Sequence, residues 1–259
     1  MRRTALVTGA SSGLGEQFAR LFARDGIDLL LVARRRERLE ALASELRAGG
    51  TVSVQVVPAD LSTGAGVERV ILEVQAQGLE IEFLVNDAGL GNVGPLAESD
   101  VATQLAMVDV NVRALVQLTH SFLPAMLARR RGRILNVGST AGLQPGPFGA
   151  VYYASKAFVN SFTEALAHEL KGTGVTATAS LPGATATEFA SVAGSGATRL
   201  FRSGVMSSER VAAEAYRAMH AGRTVIVHGW KNRVLALGSR LGPRGVVRSI
   251  AAAMNRPAG

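Results

Sequence analysis

Short apolar runs alternate with longer amphipathic stretches along this chain, and this alternation constrains its fold more than any other feature. Runs such as LLLV at 29–32 carry apolar residues at adjacent positions, which is typical of strands covered on both faces. The stretches between them have the periodicity of amphipathic helices. Repeated strand–helix units predict a single α/β domain, in which a doubly wound parallel sheet of about seven strands has helices on both faces.

The pattern also places the individual elements. Strands are predicted at Thr4–Thr8, Asp28–Ala33, Val52–Val57, Ile81–Asn86, Arg133–Gly138, Thr176–Leu181 and Val225–His228. Helices are predicted at about Leu14–Arg24, Arg35–Ala48, Gly66–Gln77, Val101–Arg130, Ala154–Lys171 and Ser208–Ala221. We assign residues 1–229 to the α/β domain, including a variable segment at about 188–209. Residues 230–259 form a basic amphipathic extension, packed on that domain or on a partner.

Residue counts exclude several kinds of site. The chain has 259 residues, no cysteine and four histidines, so disulfides and thiol chemistry are excluded and the scattered histidines offer no ligand spacing. We predict no metal. The chain reaches Gly9 before an apolar signal stretch can form, and apolar runs such as 29–33 are far shorter than the ~20 residues of a membrane-spanning helix. We therefore expect a soluble, cytoplasmic protein.

The net charge of +8 is concentrated towards the end of the sequence. All 20 acidic residues lie at or before Glu214 and eight of the 28 basic residues lie after it, so the first 214 residues balance at 20 basic against 20 acidic. A basic stripe can bind nucleic acid, but no recognition motif or aromatic platform accompanies this one. We expect no nucleic-acid partner.

A glycine-rich segment follows the first predicted strand and opens the first helix. Glycines let the backbone turn tightly and approach a pyrophosphate, whose charge suits the amides and positive end of the following helix. An ordinary glycine-rich turn is the alternative, but the strand–turn–helix setting favours a nucleotide-binding loop of Rossmann type. The residues assigned to this loop are Gly9, Ser11, Ser12, Gly13, Leu14 and Gly15.

Arginines follow the second predicted strand, where NAD-binding folds commonly carry an acidic residue. Arg34 and Arg35 can bind a 2′-phosphate through charge-assisted, two-point hydrogen bonds. Asp28 lies at the opposite end of the same strand. NADP is therefore the predicted cofactor, with a solvated basic helix face as the alternative interpretation.

Tyr152 and Lys156 stand four residues apart at the start of a predicted helix, which places both on one face. A tyrosine with the ordinary pKa near ~10 is a poor base at neutral pH, and a neighbouring ammonium together with a positive nicotinamide is expected to lower that pKa. Ser139 ends a predicted strand at the same sheet edge and can hydrogen-bond a substrate carbonyl. A surface Tyr–Lys pair and a turn serine are the alternatives.

Together these segments resemble the classical short-chain dehydrogenase/reductase family over residues 4 to about 190. One departure is Asp87, where the family pattern has asparagine. The resemblance implies an NADP(H)-dependent oxidoreductase that interconverts a carbonyl and an alcohol, with Tyr152 as acid and base. The resembling stretches are TGASSGLG at 8–15, Asp60-Leu61, NDAG at 86–89, Asn111, Ser139, Tyr152 with Lys156, and Pro182-Gly183 with Thr187.

The resemblance also implies residue roles. A catalytic tetrad would comprise Asn111, Ser139, Tyr152 and Lys156, in which Asn111 holds a water that extends a proton relay from Lys156. Tyr152 and Lys156 would also contact the cofactor, Lys156 at the nicotinamide ribose. Further cofactor contacts are implied for Asp60 and Leu61 beside the adenine, for Asn86, Ala88 and Gly89 in the cleft, and for Pro182, Gly183, Thr185 and Thr187 near the carboxamide.

Two later regions bear on substrate and partners. The variable segment is rich in Gly, Ser and Ala and can close over a substrate, with a plain surface loop as the alternative. Its apolar content favours an apolar aldehyde or ketone. The basic tail from Trp230 can lie on an anionic membrane, pack on a partner subunit or cover the core. The larger apolar residues of the variable segment are Phe189, Leu200, Phe201 and Met206.

Two other functions stay open on the sequence: a catalytically idle NADP-binding sensor or regulatory protein of the same fold, and an epimerase or dehydratase. The intact Ser139, Tyr152 and Lys156 argue against the sensor, and the short region after the sixth strand argues against the epimerase or dehydratase. The resemblance further implies a homodimer or homotetramer through the long helices that begin near Val101 and Ala154.

Overall fold

The computed structural model describes residues 3–50, 52–189 and 205–256. Single-turn 3₁₀ helices at Leu96–Glu98 and Thr140–Leu143 lie in connections, and a π-helical segment at Asp109–Ala114 joins two α-helices. The elements are β1 (Thr4–Thr8), α1 (Gly13–Arg24), β2 (Asp28–Ala33), α2 (Arg36–Ala48), β3 (Val54–Pro58), α3 (Gly64–Ala76), β4 (Ile81–Asn86), α4 (Val101–Val108), α5 (Leu115–Ala128), β5 (Gly132–Val137), α6 (Ala150–Glu169), β6 (Val175–Leu181), β7 (Thr185–Ala186), β8 (Met206–Ser207), α7 (Ser208–His220), β9 (Val225–Val227), α8 (Trp230–Leu241) and α9 (Arg244–Asn255).

Seven strands form one parallel sheet in the order β3-β2-β1-β4-β5-β6-β9. The strand order reverses at β1, where Val7 pairs with Leu31 of β2 on one side and Val85 of β4 on the other. The crevice beyond the carboxyl ends of the strands at such a reversal is the usual ligand site of open α/β sheets. The predicted fold class, a Rossmann-type doubly wound sheet, is confirmed.

Alternate residues of β1 pack on opposite faces of the sheet. Val7 belongs to a core that includes Phe22 of α1 and Tyr216 of α7, whereas Leu6 belongs to a second core that includes Val70 of α3 and Leu118 of α5. Because both faces of the sheet are covered by helices, its central strands need apolar residues at successive positions. This is the physical origin of the continuous apolar runs in the sequence.

The long predicted helix at Val101–Arg130 is present but is not one uninterrupted α-helix. It consists of α4 and α5 with the π-helical segment Asp109–Ala114 between them. A π-helical turn accommodates one extra residue and is common at functional sites. Helix continues on both sides of such a turn, so a single extra residue leaves little trace in a coarse reading of the sequence pattern. The turn carries Asn111.

The segment after β6 is held by a small second sheet, in which Thr185 pairs with Met206 and Ala186 with Ser207. Leu200 and Phe201, two of the apolar residues singled out above, lie outside the described residues. Within the described ranges, no helix combines the length and apolar content needed to cross a bilayer. The cytoplasmic location stays a prediction.

Candidate active site

A cavity of about 440 Å³ lies at the carboxyl edge of the sheet, around the ends of β1, β2, β5 and β6. Most of the predicted site residues line it together, although they come from segments spread along much of the chain. Gly15, Asn86 and Asn111 are absent from its described wall. The predicted residues that line the cavity are Gly9, Ser11, Ser12, Gly13, Leu14, Arg34, Arg35, Asp60, Leu61, Ala88, Gly89, Ser139, Tyr152, Lys156, Pro182, Gly183, Thr185 and Thr187.

The turn between β1 and α1 depends on glycine for two separate reasons. Gly9 and Gly13 have φ values of +72° and +61°, which residues with a side chain rarely adopt. Gly15 has no such φ, but a Cβ there would lie 2.5 Å from the carbonyl oxygen of Gly9. Gly15 therefore permits close packing of the turn against the helix and does not itself border the cavity.

Thr8 connects this turn to the end of β4. Its hydroxyl donates to the carbonyl oxygen of Val85 at 3.2 Å and accepts from the backbone N–H groups of Asp87 and Ala88, both at 3.0 Å. The two strands at the reversal point are therefore fixed relative to each other by one buried side chain. Thr8 belongs to the TGASSGLG stretch but was not predicted as a site residue.

Asp87, the residue that departs from the family pattern, lies against the glycine turn. Its Oδ2 is 2.9 Å from the position that a Cβ on Gly15 would occupy, and the carboxylate accepts a hydrogen bond from the backbone of Gly15. Burial raises the pKa of Asp87 to about 7, although the positive charge of Lys156 opposes the rise. A carboxyl group that titrates near neutral pH thus stands beside the turn and near Lys156.

Arg35 lies over the glycine turn at one end of the cavity. Its guanidinium donates to the Ser11 hydroxyl at 3.1 Å, to the Ser12 hydroxyl at 2.9 Å and to Oε2 of Glu188 at 2.8 Å. Arg38 also donates to Glu188, at 2.5 Å. The guanidinium is therefore positioned by the turn, and Glu188 links it to the segment after β7.

Arg34 lines the same end of the cavity beside Asp60. Hydrogen bonds from Ser62 hold the pKa of the Asp60 carboxyl below its usual value, and the charge of Arg34 adds to this effect. The two arginines predicted to recognise a 2′-phosphate thus both lie at the cavity wall.

Ser139, Tyr152 and Lys156 meet at the other end of the cavity. Ser139 follows β5, and its hydroxyl donates to the carbonyl oxygen of Pro182 at 3.3 Å. Tyr152 and Lys156 lie on the first turns of α6. The ammonium of Lys156 donates to the carbonyl oxygen of Val137 at 2.7 Å, and its Nζ lies 6.0 Å from the centre of the Tyr152 ring.

The side chains of the protein alone do not lower the pKa of Tyr152. Burial raises that pKa to about 12, and a hydrogen bond with Ser139 offsets the rise in part. The expected lowering by Lys156 together with a positive nicotinamide stays a prediction. Burial also lowers the pKa of Lys156 to about 8, against the opposing charge of Asp87. The side chains of the protein therefore keep the Tyr152 phenol in its protonated, proton-donating form.

Asn111 lies in the π-helical turn behind the site, and its side chain forms hydrogen bonds within the protein. Its amide nitrogen donates to the Leu90 carbonyl oxygen and to the Ser155 hydroxyl, both at 2.9 Å, and its Oδ1 accepts from the Leu90 N–H at 2.8 Å. The observed role of this amide is to hold the Gly89–Leu90 backbone against α6.

Asn86 was predicted to line the cofactor cleft, and the structure corrects this. Its buried amide donates to Oδ1 of Asn136 at 2.8 Å and to the Thr119 hydroxyl at 3.2 Å. Because the side chain of the last β4 residue points into the layer between sheet and helix, it ties β4 to β5 and α5. Asn86 therefore lies beneath the site and not in its wall.

Asn160 was missed by the sequence analysis. It lies one turn after Lys156 on α6, and its amide donates to the carbonyl oxygen of Ser139 at 3.0 Å. The same helix thus carries Tyr152 and Lys156 and fixes the backbone of Ser139. Tyr152, Lys156 and Asn160 are spaced four residues apart, and this spacing could have identified Asn160 from the sequence.

The C-terminal helices complete the cavity wall. Asn232, Ala236 and Ser239 line it from α8, and Ile250 and Met254 line it from α9. Helical spacing in the tail was visible in the sequence, but the pattern could not show which side of each helix faces the site. The tail is therefore part of the described cavity.

A buried Ser–His–Glu arrangement elsewhere needs a separate explanation. The Ser180 hydroxyl lies 2.9 Å from Nε2 of His228, and Nδ1 of His228 lies 2.9 Å from Oε2 of Glu214. Such a series resembles a nucleophilic triad, but Ser180 and His228 are fully buried. Its contribution is to connect β6, the residue after β9 and α7.

The geometry defines a class of protein: a Rossmann-type fold whose cavity has a glycine-rich turn at one end and a Ser–Tyr–Lys group at the other. Residues 3–197 match the family model described as short chain dehydrogenase. The NADP-dependent 3-hydroxy acid dehydrogenase YdfG of Salmonella typhi is 41% identical over 189 residues, which cover 72% of this chain and 75% of that protein. A short chain dehydrogenase of Pseudocercospora fijiensis is 36% identical over 188 residues. The matched residues are 72% of this chain and 60% of that relative.

A solved structure agrees with these relatives. The short-chain dehydrogenase from Sphingobium yanoikuyae in complex with NADPH has a TM-score of 0.82 to this chain and 32% identity, over 93% of this chain and 94% of that chain. The chain therefore belongs to the short chain dehydrogenase family, and the predicted family and oxidoreductase class are confirmed.

Proposed function

We propose that this chain uses NADPH to reduce an apolar ketone or aldehyde, and NADP⁺ for the reverse oxidation. It is an NADP(H)-dependent oxidoreductase, in line with the NADP-dependent relative and the NADPH complex described above. The observation that carries the proposal is a single cavity with Arg34 and Arg35 at one end and Ser139, Tyr152 and Lys156 at the other. Such a cavity joins a phosphate-recognition site to a proton donor.

The residues present fit a dinucleotide. The positive φ values at Gly9 and Gly13 select glycine at these two positions, so the backbone there is open to a pyrophosphate at the start of α1. The guanidinium of Arg35, fixed by Ser11 and Ser12, suits a 2′-phosphate. When bound, NADPH supplies the hydride. Asp60, Leu61, Ala88, Gly89, Pro182, Gly183, Thr185 and Thr187 would surround the remainder of it.

The protonated phenol of Tyr152 supplies the acid. Because burial raises its pKa to about 12, it holds its proton at neutral pH and can transfer it to a developing alkoxide oxygen. The hydroxyl of Ser139 hydrogen-bonds the same oxygen and polarises the carbonyl. With a pKa near 8, Lys156 is mostly charged at pH 7 and stabilises the tyrosinate that remains.

The proposed substrate class is supported by the charges and apolar side chains around this end of the cavity. Phe189 lies with its ring centre 5.6 Å from that of Tyr152, and Leu235, Ile250 and Met254 add apolar surface. Among the described lining residues, the basic side chains are Arg34, Arg35 and Lys156. The two arginines lie at the other end, so an acidic substrate would have only Lys156 as a counter-charge. This favours a neutral, apolar carbonyl compound.

We also propose a homodimer or homotetramer formed through α4 and α6. Val101 and Leu105 of α4 are more than half exposed, and Val108 of α4 and Phe158 of α6 are also exposed apolar residues. Burial of such a patch against a second copy is favourable. We further propose that the chain divides into a domain at residues 1–229 and an extension at residues 230–259. Helices α8 and α9 of the extension form part of the site.

The test compares NADPH with NADH oxidation by purified protein against a panel of carbonyl compounds. Bulky neutral ketones and aldehydes are expected to be reduced with NADPH faster than carbonyl compounds bearing a carboxylate or sulfonate. Preference for the charged compounds would overturn the substrate class and leave the cofactor assignment standing. Tight NADPH binding without turnover across the panel would support the idle sensor instead.

A further inference from the structure

Helix α8 has two opposite faces. Asn232, Ala236 and Ser239 face the cavity. Trp230, Val234, Leu237 and Leu241 are spaced by four, three and four residues, so at about 100° per residue they fall within an arc of roughly 60° on the other side. We call these four residues the outer face of α8.

The outer face is apolar and exposed. Trp230 is 71% exposed, Val234 62%, Leu237 59% and Leu241 78%. Large apolar side chains grouped in this way are rare on the free surface of a protein and usually mark a contact site. The face does not contribute to the cavity wall, so its apolar character is not explained by the reaction.

Basic residues flank the outer face. On the helix, Arg233 and Arg240 lie along one side of it and Lys231 along the other. Arg244 and Arg248 follow on α9, and no acidic residue occurs after Glu214. Among the ion pairs between described residues, none involves a basic residue of α8 or α9. The outer face is therefore an apolar stripe in a positive field.

We propose that the outer face of α8 docks on an anionic phospholipid bilayer. An amphipathic helix with apolar residues on one face and Lys or Arg beside it lies in the interfacial plane, with its cations next to lipid phosphates. A second copy of this chain fits less well, because a symmetric contact would place the same basic residues against each other. The proposed docking surface lies on α8, and the inference does not depend on the proposed reaction.

The anchoring of α8 is consistent with docking as a preformed unit. The Asn232 amide donates to the carbonyl oxygen of His228 at 2.7 Å, and Nε of Arg233 donates to the carbonyl oxygen of Val227 at 3.0 Å. Both contacts tie the first turn of α8 to β9 and the residue after it. The helix therefore presents its outer face without having to fold on the membrane first, which reduces the entropic cost of binding.

The test uses Trp230, the one tryptophan of the sequence, as the reporter. The full-length protein is mixed at low salt with vesicles of phosphatidylcholine alone or with phosphatidylglycerol added. Docking predicts co-sedimentation with the anionic vesicles, a blue shift of the tryptophan emission, and quenching by lipids brominated on their acyl chains. Binding should weaken at least tenfold in ~0.5 M salt because the charges are screened.

Variants distinguish vesicle binding through the outer face from nonspecific adsorption of the protein to the vesicles. Leu237→Glu with Leu241→Glu should abolish vesicle binding while NADPH binding persists, since neither residue lines the cavity. Arg240→Gln should weaken binding about fivefold, the value for one cation at an anionic surface. The matched control is Leu72→Glu, which alters an exposed leucine of α3 and should leave binding unchanged.

Three outcomes would overturn the proposal. The first is no binding to anionic vesicles at low salt. The second is binding that Leu237→Glu with Leu241→Glu does not reduce. The third is a change in oligomeric state on this double substitution, measured by light scattering, without any lipid-dependent shift of Trp230 emission. That third result would assign the outer face to a second copy of the chain.

Discussion

Tyr153 donates its phenolic hydrogen to Oδ1 of Asn255 over 2.8 Å, and the amide of Asn255 donates to the carbonyl oxygen of Pro147 at 3.0 Å. The residue next to Tyr152 thus holds the last turn of α9. Because Ile250 and Met254 of α9 line the cavity, we expect Asn255→Ala to raise the KM for the carbonyl substrate severalfold, with little change in the KM for NADPH.

Asn255→Ala should also lower the free energy of unfolding by about 1–3 kcal/mol, because it leaves the buried Tyr153 hydroxyl without its partner. Chemical denaturation of Asn255→Ala, Tyr153→Phe and the double variant measures the coupling. The two losses should be clearly less than additive. Strict additivity would contradict the importance of this contact.

The two adjacent tyrosines provide a matched pair for testing the proton donor. Tyr152→Phe removes the hydroxyl that transfers the proton, so kcat should fall about 10²–10⁴-fold, while NADPH binding is largely retained. Tyr153→Phe removes the neighbouring hydroxyl and should reduce kcat far less. Steady-state kinetics and NADPH titration of both variants provide the measurement. Comparable losses in kcat would show that Tyr152 is not specifically the acid.

Cofactor preference should depend on Arg35 more than on its neighbour Arg36. Arg35→Ala removes a guanidinium fixed by Ser11 and Ser12, and loss of a charged hydrogen bond of about 1.5–3 kcal/mol predicts a rise in the Kd for NADPH of roughly 10- to 100-fold. Affinity for NADH should change little. The control Arg36→Ala alters an arginine paired with Glu40 at 3.9 Å and absent from the cavity wall, so the preference for NADPH should persist.

Asp87 should make the stability of the protein depend on pH near neutrality. Its pKa is about 7 in the folded protein against an ordinary value of 3.8, so between these values the folded state binds more protons than the unfolded state. This stabilisation is present at low pH and is lost as pH rises towards 7. Relative to Asp87→Asn, the wild type should therefore lose about 1–3 kcal/mol between pH 4 and 8.

Thermal unfolding across this pH range measures the Asp87 effect, and the same measurement extended below pH 4 on Asp100→Asn is an instructive comparison, because the pKa of Asp100 is lowered from 3.8. Asp100 accepts hydrogen bonds from Thr103 at the start of α4, which lower its pKa. Its stabilisation is present above the ordinary pKa and lost as pH falls. The difference between wild type and variant should thus change with pH in opposite directions for the two residues. Parallel trends would be inconsistent with the raised pKa of Asp87.

The parallel sheet and most of the site could be predicted because they depend on local signals. The apolar runs follow from burial of both sheet faces, as at Leu6 and Val7, and residues at the carboxyl ends of parallel strands necessarily meet at one edge. Ser139 and Tyr152 are therefore brought together by the sheet topology, which can be predicted from the order and positions of the strands in the sequence.

The remaining features depend on side-chain direction and solvation, which one-dimensional patterns do not record. The family resemblance assigned Asn86 to the cleft, but its side chain points to Asn136 and Thr119. Lys156 and a nicotinamide charge were expected to lower the pKa of Tyr152, but the sequence could not show that the lysine bonds to Val137 or that burial of the phenol raises this pKa. In both cases the sequence identified the residue but not the direction of its side chain or its burial.

The pairing of Thr185–Ala186 with Met206–Ser207 has a consequence for how substrate range can change during evolution. The two ends of the intervening segment are pinned side by side, so its length and sequence can vary at a modest entropic cost. Neither β5 nor α6, which carry the reacting side chains, is interrupted by such a change. The segment can therefore be exchanged between homologues as a cassette, and chimeras joined within these two short strands offer a route to new specificities on an unchanged catalytic framework.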